Sequence, residues 1–219
     1  MQDLTQIQLI AIAILPIMLA ITVHEASHAL VADKLGDRTA RALGRVTLNP
    51  FKHIDPLGTI ILPIVMFLTT GFMFGWAKPV PVNWRNLGNI RRDTAIVAAA
   101  GPFANLLMML LWPLLFILVR QFAGNSEFVM QPLYHMMVFG IQINAVLMVL
   151  NLLPILPLDG GRIVNSLLPA KMSYEYSKTE RWGFLILIVL LVSGLLGQIL
   201  GPVVQILMQM TAGFLGIFA

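Results

Sequence analysis

The chain has no cysteine. That excludes disulfides and thiolate metal sites, and leaves the redox state of its compartment unread. It is also poor in charge: 11% of its 219 residues are Asp, Glu, Lys or Arg, against about 25% in soluble domains. Its apolar runs are continuous, without the alternation of an outer-membrane barrel. There is no low-complexity tract, long soluble insertion or convincing internal repeat. The net charge of +4 is no nucleic-acid footprint. Its basic residues sit in short loops beside apolar runs, where such residues anchor and orient a membrane protein. The first eight residues, MQDLTQIQ, contain no basic residue and make a poor signal peptide, so the first apolar helix is expected to be kept.

What the chain does have is apolar length. Hydrophobic residues make up 58% of it, and its mean hydropathy is +0.85. Crossing a hydrocarbon core takes roughly 20 apolar residues. Runs near 9–31, 55–76, 94–119, 133–156, 182–198 and 202–218 are candidates. The last two flank Gly201-Pro202 and read as a helical hairpin. The expected fold is an all-α polytopic membrane protein with five to six transmembrane helices. It forms a single domain over 1–219, with a catalytic core over about 5–168 and the hairpin over about 182–218.

The basic clusters orient it. Before the first run the only charge is Asp3; after it come Lys34, Arg38, Arg41, Arg45 and Lys52. Basic loops stay cytoplasmic, so the N-terminus is expected outside. Lys78, Arg85, Arg91 and Arg92 form a second cluster, and Arg162, Lys171, Lys178 and Arg181 a third. All three share the cytoplasmic side only if 55–76 makes no net crossing. It is therefore expected to enter as a short re-entrant helix and return as an extended segment, lying between the first helix and the later one that contains Gly101-Pro102. Non-helical backbone at that depth must be covered by protein or line a wet cavity. The alternative is one ordinary crossing.

The chemistry lies in "HEASH", residues 24–28. Residues four apart share a helix face, so His24 and His28 can offer two imidazoles to one ion. Glu25 sits beside them as a general base that is not a ligand. This is the His-Glu-x-x-His zinc pattern. Its place in a membrane helix strengthens it, because ionisable groups there are costly and usually functional. The bland alternative is a helix that ends near Val23, but "ALVA" at 29–32 resumes the apolar character. Catalytic zinc usually takes three protein ligands. His53 and His135 qualify by type but read as solvated or interfacial. Asp159 in "NLLPILPLDGGR" is better placed, at the end of a run that returns to the cytoplasmic side. Pro154 and Pro157 break the helix there, and a carboxylate offsets metal charge.

"HEASH", "GPFAN" and Asn151-x-x-Pro154-x-x-Pro157-x-Asp159-Gly160 together resemble the site-2 protease family of intramembrane zinc metalloproteases, over most of the chain from the first run through Asp159. The resemblance implies one catalytic Zn2+ held by His24, His28 and Asp159, with Glu25 as base. It implies that Asn151 holds substrate or stabilises the oxyanion, and that Gly101, Pro102 and Asn105 belong to a motif of the core helices. For Gly101, helix packing is the favoured role. Asn144 falls on a similar face to Asn151 and either lines the substrate site or bonds across helices. Unlike some members, the chain is expected to carry no PDZ or CBS domain and no extra helix before the first motif.

The implied substrate is a single-pass or signal-peptide-like membrane protein, cut within or near its transmembrane segment in a bacterial or archaeal cell membrane. A helical substrate must unwind before attack. Trp76, Lys78, Val80 and Val82 in the extended stretch are expected to bind it by β-addition, with prolines limiting the ladder. Thr22 and Ser27 either line a water path or bond their own helix carbonyls. Two rivals remain: a catalytically silent membrane-binding or chaperone homologue, disfavoured by the intact Glu25, and a zinc transporter, which needs ligands at more than one depth.

Overall fold

A computed structural model describes residues 5–61, 65, 78–123 and 127–216. All regular structure among them is helical. Helix α1 (Gln6–Lys34) starts at a capping box: the Thr5 hydroxyl accepts from the Gln8 N–H, and the Gln8 side chain accepts from the Thr5 N–H at 2.9 Å. Its 29 residues reach about 44 Å at 1.5 Å per residue, more than a bilayer core requires. Ile10 and Ile14 are exposed, as a lipid-facing surface requires, while Ala20, Ala29 and Ala32 are fully buried. In lipid, helices associate through packing rather than water exclusion, and small residues let their backbones approach.

After a helical turn, α2 (Thr39–Ala42), and a short π-type turn at Pro56–Ile61, the described chain resumes at 78–83 without regular secondary structure. Two long helices follow, α3 (Ile90–Ala123) and α4 (Glu127–Asn151). Then come two short ones, α5 (Asp159–Leu167) and α6 (Ala170–Ser177), and a closing pair, α7 (Glu180–Val192) and α8 (Leu195–Leu215). By length and composition α1, α3 and α4 can each cross a membrane, and α7 with α8 can form one further, broken span. Most of 55–76, including the proposed return, lies outside the described residues.

The closing pair corrects one expectation. The break falls at Ser193–Gly194, not at Gly201-Pro202. Gly194 takes φ +75°, a left-handed conformation that ends α7 and costs glycine little. Pro202 lies inside α8. The two helices meet at 80°, so they form a bent pair and not an antiparallel hairpin. α7 is 13 residues long, about 20 Å, too short to cross alone.

Two zones divide the bundle. Met109, Trp112, Met137, Ile141, Ala145 and Val204 form an apolar cluster joining α3, α4 and α8. Toward the other end lie the buried polar residues His24, His28, Asn105 and Asn144. The loop at that end is tied by Asp37, which is fully buried. Its carboxylate accepts from the Thr39 hydroxyl at 2.5 Å, the Asn83 N–H at 2.7 Å and the Asn86 amide at 2.9 Å. Burial opposes the charge, but these donors outweigh it and hold the Asp37 carboxyl below the usual carboxylate range.

A depressed folded value means stabilisation that is present above the unfolded-state pKa, about 3.9, and lost as pH falls through the folded value. Asp37→Ala is therefore expected to lose about 2–3 kcal/mol at pH 7, with the gap to wild type narrowing in acid. Thermal melts of both proteins at pH 7 and below pH 3 check this. An equal gap at both would contradict it.

Candidate metal centre

α1 runs unbroken through His24 and His28 to Lys34, so the alternative of a helix ending near Val23 does not hold. Both imidazoles point into the bundle, at 7% and 9% exposure. Asp159 is the first residue of α5. Its placement follows from the preceding turn: Gly160 and Gly161 are buried where a Cβ would strike the backbone of Leu152 and of Ile155 and Leu156. From the other side, α7 brings Gly183 against the Leu156 carbonyl, where a Cβ has no room.

The turn delivers Asp159 Oδ2 to 3.4 Å from His24 Nε2 and 3.4 Å from His28 Nε2, with the two Nε2 atoms 3.1 Å apart. Tetrahedral ligands at about 2.0–2.1 Å from zinc lie about 3.3–3.4 Å from one another. The two carboxylate–imidazole distances have that spacing, and the imidazole pair is about 0.2 Å closer. The chemistry of the three residues fits as well. His28 Nδ1 lies 2.8 Å from the Val97 carbonyl, which only accepts, so Nδ1 carries the proton and a neutral ring leaves a lone pair at Nε2. Asp159 Oδ2 is buried without a hydrogen-bond donor. Acceptors crowded this closely repel one another unless a cation sits among them. His24, His28 and Asp159 are the one such cluster found among the described residues.

Gly101 is where the geometry adds to the sequence. A Cβ there would lie 2.7 Å from His24 Nε2 and closer still to His28 Nε2 and His24 Cε1. The glycine is a packing residue, as expected, but what it packs against is the imidazole pair. One turn on, Asn105 Oδ1 lies 2.6 Å from His24 Nδ1. In the sequence, Asn105 falls in a motif with Gly101 but is not paired with His24. The signal available was the four-residue spacing of Val97, Gly101 and Asn105, which matches the His24–His28 spacing on α1.

Glu25 leaves α1 in another direction. Its Oε2 accepts from the Val80 N–H at 2.7 Å, so the stretch over 78–83 is bonded to the carboxylate. Other groups hold that stretch down: the Lys78 N–H donates to the His53 carbonyl at 2.9 Å, and the Arg45 guanidinium donates to the Lys78 carbonyl at 2.9 Å. The Val80 side chain packs on Ala29 and Ala40, and Val82 on the cluster of Ala32, Leu87 and Val97. The backbone N–H of Val80 and both backbone groups of Lys78 are thus used within the protein. Trp76 lies outside the described residues.

For Asn144 and Ser27 the structure picks between the alternatives left open, and His53 sits differently from expectation. Asn144 is fully buried, accepting from the Asn105 amide at 2.9 Å and donating to the Gly140 carbonyl at 2.7 Å. It bonds across helices and does not face a substrate, because both ends of its amide are taken. His53 is not solvated: it is buried at 2% exposure, with Nε2 3.0 Å from the Thr47 carbonyl. Ser27 donates to its own helix carbonyl, Val23, at 2.7 Å. Asn151, half-buried at the end of α4, donates one amide N–H to the Leu147 carbonyl at 2.9 Å.

Residues 116–194 match the family model described as Peptidase family M50. The chain is 38% identical over 195 residues to "Putative zinc metalloprotease YwhC" of Bacillus subtilis, covering 88% of this chain and 85% of that protein. It is 32% identical over 182 residues to "Putative zinc metalloprotease Rip2" of Mycolicibacterium smegmatis, covering 83% and 66%. With the Mycobacterium tuberculosis (strain ATCC 25618 / H37Rv) protein of the same printed name it shares 25% over 177 residues, covering 79% and 63%. No solved structure matches.

Proposed function

The chain belongs to peptidase family M50, the site-2 proteases, and is an intramembrane zinc metalloprotease; from that premise we propose which of its residues carry the reaction. The supporting observation is the convergence of His24, His28 and Asp159 on one point. We assign these three as the zinc ligands, Glu25 as general base and Asn151 as the residue that holds the substrate carbonyl.

Zinc, held by His24, His28 and Asp159, would supply a Lewis acid able to bring the pKa of water from about 15.7 to near 7. The rest is the work of side chains. Glu25 takes the proton of the attacking water and returns it to the leaving amine. It can do both because it neighbours His24 without being spent as a ligand. An Asn amide has two N–H groups; the one that does not bond Leu147 is available to the substrate carbonyl, where preorganised donors count most in a dry site. Gly101 lets α3 pack directly against the imidazoles. The stretch 78–83, with Lys78, Val80 and Val82, forms the wall along which an unwound substrate backbone lies.

For the topology we propose the N-terminus outside and the site near the cytoplasmic end of the spans, in a bacterial cell membrane, with 55–76 re-entrant and five to six membrane segments in all. The substrate is a single-pass or signal-peptide-like membrane protein with Gly or Pro near the cut, where local unwinding is cheapest.

The test is cleavage in nanodiscs. Single-pass substrates with and without a Gly-Pro step in the cytoplasmic half of the membrane segment are incubated with the purified chain, and the cut is mapped by mass spectrometry. Cutting near the step is expected, lost on zinc chelation and restored by zinc. Cuts confined to soluble regions, or cutting that survives chelation, would overturn the reading.

A further inference from the structure

We propose that Asn105, aligned by Asn144, is a positioning residue that fixes the tautomer of His24 so that its Nε2 lone pair faces the metal. This rests on the zinc reading above and goes beyond it by assigning a chain of side-chain amides across three spans.

The direction of the chain is forced from its ends. The Gly140 carbonyl only accepts, so the Asn144 group 2.7 Å away is its NH2. The Asn144 oxygen therefore faces Asn105 and must accept, from the Asn105 NH2 at 2.9 Å. A second carbonyl, Ala20 on α1, lies 3.3 Å from the same NH2 and gives the same answer. The Asn105 oxygen is thus left for His24 Nδ1, at 2.6 Å. An amide oxygen cannot donate, so Nδ1 must. A neutral imidazole with its proton on Nδ1 has its lone pair on Nε2, the atom that faces Asp159 and His28. Asn105 and Asn144 are both fully buried, so water does not offer an alternative partner. With either amide reversed, an NH2 would meet an NH2 or an oxygen would meet a carbonyl, an expensive mispairing in a low dielectric.

His28 gets the same orientation more simply, from the Val97 carbonyl. The two histidines are therefore set by two devices on one face of α3: a backbone carbonyl at Val97, and at Asn105 a side chain that α4 holds in register through Asn144. Only the second can be removed by mutation, which makes it testable. Partners of metal-binding histidines of this kind commonly carry 10–100-fold in affinity.

The experiment measures zinc affinity by chelator competition, and the ring tautomers by 15N NMR of histidine-labelled apo-protein in nanodiscs; four histidines give a sparse spectrum. In wild type His24 should carry its proton on Nδ1. Asn105→Ala should shift His24 toward the other tautomer and weaken zinc binding about 10–100-fold. Asn105→Asp, protonated so that its hydroxyl donates to the Asn144 oxygen while its carbonyl accepts from Nδ1, should restore the tautomer. Asn144→Ala should give a smaller loss of the same kind, and it decides the matter if Asn105→Ala fails to fold. Unchanged tautomer and zinc affinity within threefold of wild type in a folded variant would overturn the assignment. So would a lower melting temperature with both readouts unmoved, which is what a merely structural role predicts. A wild-type chain that binds no zinc would instead sink the reading beneath it.

Discussion

Glu25→Gln is expected to cut the rate of peptide cleavage by roughly 10²–10⁴-fold while zinc stays bound. The two halves of that expectation have separate causes. Glutamine cannot take a proton from water, so the acid–base steps fail. Yet it keeps the shape of glutamate and an acceptor oxygen for the Val80 N–H now 2.7 Å from Oε2. The Val80 contact therefore stays made. Glu25 is not among the three clustered ligand-type residues, so metal content should not change. Cleavage rate and metal content measured on one preparation check both halves. Near-normal turnover would remove the base assignment; loss of zinc would make Glu25 a ligand.

Asp159→Ala should be the most damaging single change to the metal centre, weakening zinc binding by at least about a hundredfold, beyond the usual cost of losing an outer-shell partner. Cleavage should go with it. The substitution is smaller than the residue it replaces, and the turn around it is held by Gly160, Gly161 and Gly183, which it leaves alone. It also removes the carboxylate whose Oδ2 lies 3.4 Å from both imidazoles. Chelator competition measures the loss of affinity. A variant that is purified with stoichiometric zinc would show that the third ligand lies elsewhere.

What could be read from the sequence was what local spacing encodes. His24 and His28 are one helical turn apart, and that needs no tertiary knowledge. Asp159 was accessible because Pro154, Pro157 and two glycines mark a turn at the end of an apolar run. The Asn105–His24 contact was not accessible: it spans 81 positions, and an asparagine in a membrane helix suits packing as well as function. The same holds for Asn144, which only the meeting of α3 and α4 assigns. His53 misled for a different reason. A basic loop reads as solvated, yet the turn at Asn49, whose side chain caps the Phe51 N–H, folds the ring inward against Thr47. In the closing pair, Pro202 drew attention as a breaker. However, prolines are carried inside α1, α3, α4 and α8 alike, as membrane helices allow, and the left-handed Gly194 made the break.

The account stands on one meeting point for His24, His28 and Asp159. X-ray absorption at the zinc edge, on wild type purified without chelator, tests it most directly. One zinc per chain is expected, with a first shell of nitrogen and oxygen at about 2.0–2.1 Å that includes two imidazoles and loses one in His28→Ala. A chain without stoichiometric metal, or a shell that His28→Ala leaves unchanged, would contradict it.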